Sequence, residues 1–123
     1  MLVYLRAMST SDCLFCKIVV GEIPATKVLE TERSLAFRDL NPQAPTHVLV
    51  IPKEHVTHAG ELTADHGALL GDLFQTAAAV AVQEGVAEGG YRLAFNVGED
   101  SGNSVPHLHL HLLGGRKLGW PPG

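Results

Sequence analysis

Hydrophobic and polar positions alternate most strictly near the end of the chain. From His107 to Leu113 the order is His, Leu, His, Leu, His, Leu, Leu. Alternate side chains of a strand face opposite sides. The pattern predicts a strand over 107–113, with His107, His109 and His111 on one face and Leu108, Leu110 and Leu112 on the other. A helix would scatter the three imidazoles at about 100° per residue. Further strands are expected over 27–30, 34–39, 46–51 and 91–97. The 46–51 strand is apolar on both sides: His47, Leu49 and Ile51 share one face, Val48 and Val50 the other. That marks a central strand covered on both faces. Between 63 and 84 the period changes to 3.6. Leu69, Leu70, Leu73, Phe74, Ala77, Val80 and Ala81 form one stripe, predicting a long helix with Thr63 as its N-cap and Gly85 at its end. His66 in its first turn reads as solvated surface. A shorter helix is expected over 12–21, capped by Asp12 and closed by Gly21. Five strands joined mostly by short turns, with one long and one short helix, make an α+β domain around an antiparallel sheet.

The chain has 123 residues, which suits one domain over 12–123, preceded by an N-terminal extension over 1–11 in which Met8 offers a second start. Apolar residues make up 46% and the net charge is −4, so a packed core is within reach and no basic run points to nucleic acid. No apolar run approaches the roughly 18 residues that cross a membrane. The two cysteines, Cys13 and Cys16, are too few for a disulfide scaffold and fit a reducing cytoplasm.

The histidine row is where chemistry is expected. One histidine on a strand is usually structural or solvated. Three in strict alternation gain little in a core and repel one another when charged. Two uses remain open from the residues alone: ligating a metal, or a nucleophile and acid/base supported by its neighbours.

His107 to Leu113 fits the H-x-H-x-H-x-x signature, and the chain resembles the histidine-triad (HIT) superfamily over nearly all of 12–123. The likeness extends to Phe15-Cys16-Lys17-Ile18, Gly21-Glu22-Ile23-Pro24, 35–39, 42–47, 50–53 and 102–104. The ending Gly114-Gly115-Arg116 with 120–123 resembles the Hint branch, the histidine-triad nucleotide-binding proteins. The resemblance implies a purine nucleoside phosphoramidase acting on AMP or GMP derivatives. It also implies a homodimer whose two five-stranded sheets join into one of ten strands. No catalytic cofactor, nucleic acid or membrane is implied.

The same likeness implies roles. His109 would be the nucleophile, forming a nucleotidyl-histidine intermediate, with its other ring nitrogen held by the carbonyl of His107. His111 would meet the phosphate and leaving group. His47 would support the row, and Ser104 would contact the leaving group. Backbone N–H groups from Gly102 to Val105 suit phosphate oxygens. Asp39 resembles the carboxylate that accepts both ribose hydroxyls. Phe15, Ile18, Ile23, Phe37 and Leu40 resemble the apolar walls around a purine, although such residues are as readily plain core. Asn96 resembles a contact near ribose or phosphate. C-x-x-C alone is half a zinc site. Some microbial members complete it, and the matching residues here are Cys13, Cys16, His55 and His107, a structural zinc site that leaves His109 free. Competing readings are a diadenosine polyphosphate hydrolase or nucleotidyl transferase of the same superfamily, a nucleotide-binding interaction protein with incidental hydrolysis, and a metal-binding module built on the row.

Overall fold

The structure is a computed structural model that describes residues 12–102 and 105–123. The expected extension over 1–11 and Ser104 lie outside the described residues. Helix α1 spans Leu14–Val19 and α2 spans Gly67–Gln83. The strands are β1 (Lys27–Glu30), β2 (Ser34–Arg38), β3 (Thr46–Pro52), β4 (Tyr91–Ala94) and β5 (Leu110–Gly114). All pairings are antiparallel, in the order β1-β2-β3-β5-β4. The expected α+β class and five-stranded antiparallel sheet are what the chain forms.

Parity along each strand divides the molecule. Ala36, Val48, Val50, Leu110 and Leu112 pack against Leu69, Leu73, Ala77, Val80 and Ala81 of α2. Leu35, Phe37, Leu49 and Ile51 pack instead with Phe15 and Ile18 of α1. β3 is buried along its whole length, as its two-sided apolar pattern predicts. One face of the sheet is therefore core. The other, with the short helix at one side, is left to build a site.

The structure corrects five expectations. The histidine strand begins at Leu110, not His107. Before that point the main chain leaves the ladder: Leu108 N donates to Val56 O at 2.6 Å, and the carbonyl of His107 is taken by the His109 ring. The fourth strand ends at Ala94 rather than Val97, because its last partner on β5 is His111. Helix α1 is capped by Cys13, not Asp12; the Cys13 sulfur accepts the Cys16 N–H at 3.3 Å. Thr63 caps a 3₁₀ turn, Ala64–His66, and α2 starts one turn later. His66 closes that turn by accepting the Thr63 N–H at 2.9 Å, so it is a cap residue and not merely solvated surface. Gly21 and Gly85 do end their helices with positive φ.

Candidate active site and metal cluster

Four histidines stand on the face away from α2, and backbone groups decide where their protons sit. His109 Nδ1 lies 2.7 Å from the His107 carbonyl. A carbonyl only accepts, so Nδ1 carries the hydrogen and Nε2 keeps its lone pair. His107 Nε2 lies 2.9 Å from the Pro52 carbonyl, so that nitrogen is the N–H and Nδ1 is the lone pair. His47 Nδ1 accepts the Gln43 N–H at 3.0 Å, which leaves the His47 hydrogen on Nε2. Nε2 is 2.9 Å from His111 Nδ1 and donates to it. The His111 hydrogen is then on Nε2, a buried atom with no hydrogen-bond partner among the described residues. Among the described residues, the row therefore presents a bare lone pair at His109 Nε2 and an unsatisfied donor at His111 Nε2.

Burial favours the neutral form of His47, His107 and His111. It pushes His111 down to about 4, with His109 and His47 adding to the shift and Asp39 opposing it. Burial likewise lowers His47, against the pull of Asp39.

His109 and His111 line a cavity of about 280 Å³, near the lower end of ligand-pocket sizes. Phe15 and Ile18 of α1 wall it, with Ile23 in the loop that follows and Phe37 on β2. Phe15 is the hinge of this wall. Its ring meets Phe37 edge-on at 5.4 Å, His109 at 5.2 Å and His107 at 5.9 Å. Asp39 and Asn96 line the same cavity, as do Gly102 and Val105 at the loop before the histidines. Leu40 also reaches it, but is 98% exposed and gives a rim rather than a wall. Asp39 Oδ1 accepts the Asn41 N–H at 2.8 Å, and Oδ2 lies 3.4 Å from His47 Nε2. Sequence reading missed Leu14, Pro24, Ala25, Arg38 and Leu49 in this lining. Leu49 was within reach, since parity puts it on the face of His47 and it pairs with His111 across the ladder. Arg38 was not: its guanidinium is committed to a two-pronged pair with Glu84, at 2.8 and 2.9 Å.

A second cluster lies behind the first. The donor atoms of Cys13, Cys16, His55 and His107 all fall within 4.8 Å of one another. His107 Nδ1 is 3.2 Å from the Cys13 sulfur and 3.5 Å from that of Cys16; His55 Nδ1 is 3.3 Å from Cys16. Tetrahedral zinc with ordinary Zn–S and Zn–N lengths would set such S–N pairs about 3.5 Å apart. The donors also suit the ion: two sulfurs, and a His107 lone pair turned to them because Pro52 holds the opposite nitrogen. Burial, helped by Cys13, pushes the Cys16 thiol up to about 12. Without a cation the Cys16 thiol would keep its proton, and a bound zinc would displace it. The residues fit zinc. Asp39, His47 and His111 also come within 4.8 Å, but the Gln43 N–H occupies His47 Nδ1 and keeps the proton on Nε2, the atom a metal would need. That trio is a hydrogen-bonded chain, not a metal site.

A cavity of ligand size lined by paired histidines on one face of an antiparallel sheet defines an α+β small-molecule-binding domain. The comparisons make this specific. The HIT domain model matches residues 20–118, and the chain belongs to the HIT-domain family, on its Hint branch. It is 47% identical over 117 residues to "Adenylylsulfatase HINT1" of Arabidopsis thaliana, covering 94% of this chain and 79% of that protein. It is 50% identical over 121 residues to the "14 kDa zinc-binding protein" of Zea mays, covering 97% and 94%. Its fold is similar to the crystal structure of a HIT family hydrolase from Legionella pneumophila Philadelphia 1. The TM-score is 0.88 at 54% identity, over 90% of this chain and 99% of that one.

Proposed function

We propose that this protein is a nucleotide-binding hydrolase that cleaves the P–N bond of purine nucleoside 5'-phosphoramidates. The observation that carries the reading is the 2.7 Å contact of His109 Nδ1 with the His107 carbonyl. It holds the ring hydrogen on Nδ1 and turns Nε2 free, in a residue lining the cavity. A neutral imidazole is a competent nucleophile near pH 7. Its Nε2 attacks phosphorus and forms a P–N bond to the ring; the bond to the amine breaks, and the amine leaves with a proton taken from water. Water then attacks the same phosphorus, gives its proton to solvent, and releases the nucleoside monophosphate and neutral His109. The Nε2–H of His111 serves a phosphoryl oxygen, which satisfies its buried donor. His47 holds His111 in that tautomer, and His107 holds His109. Ser104 would meet the leaving group. Asp39 takes the ribose hydroxyls. Phe15, Ile18, Ile23 and Phe37 hold the purine, with Leu40 at the rim, and Asn96, Gly102 and Val105 lie toward the sugar and phosphate.

Zinc held by Cys13, Cys16, His55 and His107 would tie α1 to the sheet; the zinc-binding maize relative supports this. We place the protein in a reducing cytoplasm, which keeps both thiols available as ligands. We also read it as a homodimer, its sheet continued across the edge strand β4. Exposed Phe74 and Val97 supply apolar surface near that edge.

The test is AMP release from adenosine 5'-phosphoramidate without added metal. Wild type should turn over and His109→Ala should not; a folded wild type with no turnover would defeat the reading. One observation favours a second substrate, the 47% identity to a protein named an adenylylsulfatase. Adenosine 5'-phosphosulfate has the same nucleotidyl half with sulfate as leaving group. Running it in the same assay ranks the two.

A further inference from the structure

Asp39, which holds the sugar in the reading above, and His111, which serves the reacting phosphate, both lie beside the same N–H of His47. His47 Nε2 carries a single N–H with two acceptors near it: His111 Nδ1 at 2.9 Å and Asp39 Oδ2 at 3.4 Å. The hydrogen cannot move to the other ring nitrogen, because the Gln43 N–H occupies Nδ1. His47 is 5% exposed, so water does not offer a competing acceptor. Asp39 Oδ1 already accepts the Asn41 N–H, so a diol that bridges both carboxylate oxygens brings a hydroxyl to Oδ2, the oxygen nearer His47. Two donor hydroxyls at a carboxylate weaken its hold on a third donor, much as any shared acceptor loses strength per bond.

We propose that ribose hydroxyls bound at Asp39 release the His47 N–H wholly to His111, so that the sugar is read in the chemical step and not only in binding. His47 is then a positioning residue that couples ribose recognition to the phosphate-facing donor. With the hydroxyls in place, His111 Nδ1 accepts a full hydrogen bond, and its Nε2–H is aligned and polarised for the transition state. Without them, the unscreened Asp39 carboxylate, 3.4 Å away, pulls electrostatically on the N–H that His47 gives to His111. Remote binding energy is spent in this way at the reacting centre. The inference rests on the nucleotide reading proposed above.

Two measurements test it, one without turnover. The first compares adenosine 5'-phosphoramidate with its 2',3'-dideoxy analogue in wild type. The expected result is a kcat at least about tenfold lower for the dideoxy substrate, equivalent to about 1.4 kcal/mol, besides a higher KM. In His47→Gln the kcat ratio of the two substrates should fall to within about twofold, the coupling being gone. A wild-type difference confined to KM would overturn the proposal while leaving the hydrolase reading intact. The second follows imidazole ¹⁵N and N–H signals of wild type on adding AMP or 2',3'-dideoxy AMP. AMP should move the His47 and His111 signals together, whereas the dideoxy nucleotide should move neither as far. Equal shifts with both nucleotides would overturn the proposal even if no substrate turns over. Failure of AMP to bind would overturn it together with the nucleotide reading.

Discussion

The two polar clusters on one side of the sheet are made from similar parts, and we propose different roles for them. Cys13, Cys16, His55 and His107 form one; Asp39, His47, His109 and His111 form the other. Both are largely withdrawn from water and both bring imidazoles close together. They differ in what holds the far nitrogen of each ring. In the first, a backbone carbonyl takes the His107 N–H and turns its lone pair toward two sulfurs. In the second, the His47–His111 contact consumes a lone pair in a chain of N–H donations, and His109 alone keeps a bare one. In the roles proposed above, proton placement by the main chain, together with the two sulfurs, separates a metal cluster from a reaction cluster. His107 belongs to both: its ring faces the sulfurs and its carbonyl holds His109.

The largest effect should come from His109→Ala. Turnover should fall on the order of 10³-fold or more, as for loss of a nucleophile, with zinc content by metal analysis unchanged. Zinc lost along with activity would mean the two clusters are one. The reverse change is Cys13→Ser. It should reduce bound zinc below about a tenth of an equivalent and lower stability by about 3 kcal/mol, roughly 10 °C in Tm for a domain of this size. An unchanged Tm in a scanning calorimeter would mean the sulfurs carry no metal. His111→Gln comes next. We expect a kcat loss of about 10²-fold, again with full zinc.

The second cluster should also mark the stability of the protein against acid. His111 is held at about 4 in the folded chain against an ordinary value of 6.5. Between those values the unfolded chain binds the extra proton. The contribution is whole above about pH 6.5, is lost as pH falls, and is gone below about 4. Denaturant unfolding across that range should show a shallower pH slope in His111→Gln than in wild type. Equal slopes would contradict the burial of a neutral ring. The smallest effect is expected at Leu40. Leu40→Ala removes a rim residue that is 98% exposed, so stability should change by less than about 0.5 kcal/mol and AMP affinity by less than about threefold, or about 0.6 kcal/mol. A tenfold loss of affinity by titration calorimetry would show that Leu40 closes over the nucleotide.

Much of the sheet was legible in residue order because period-2 alternation is a local property. His107, His109 and His111 announce a shared face without any knowledge of partners, and Val48 against Leu49 does the same for β3. What escaped was what main-chain atoms do at a distance. The family likeness named the bond from the His109 ring to the His107 carbonyl, but nothing in the alternation shows that the ladder of β5 starts only at Leu110. Asp12 is an ordinary helix cap by type. Cys13 takes the position because its sulfur is turned inward, to a histidine 94 positions along the chain. The cavity wall shows the same division. Phe15, Ile18 and Phe37 were legible from apolar spacing and family likeness, and Leu49 from parity. Arg38 was not, because only the packed α2 brings Glu84 to it.

The central claim is that the His107 carbonyl leaves His109 Nε2 as the attacking atom. Mixing wild type with adenosine 5'-phosphoramidate, quenching within milliseconds under mildly alkaline conditions that spare a P–N bond, and mapping peptides by mass tests it most directly. The account predicts an AMP adduct on the peptide bearing His109, with the phosphorus on Nε2 by ³¹P and ¹⁵N coupling. An adduct on His111 or on Nδ1 of His109 would contradict it, as would release of AMP with inverted configuration at phosphorus and no adduct.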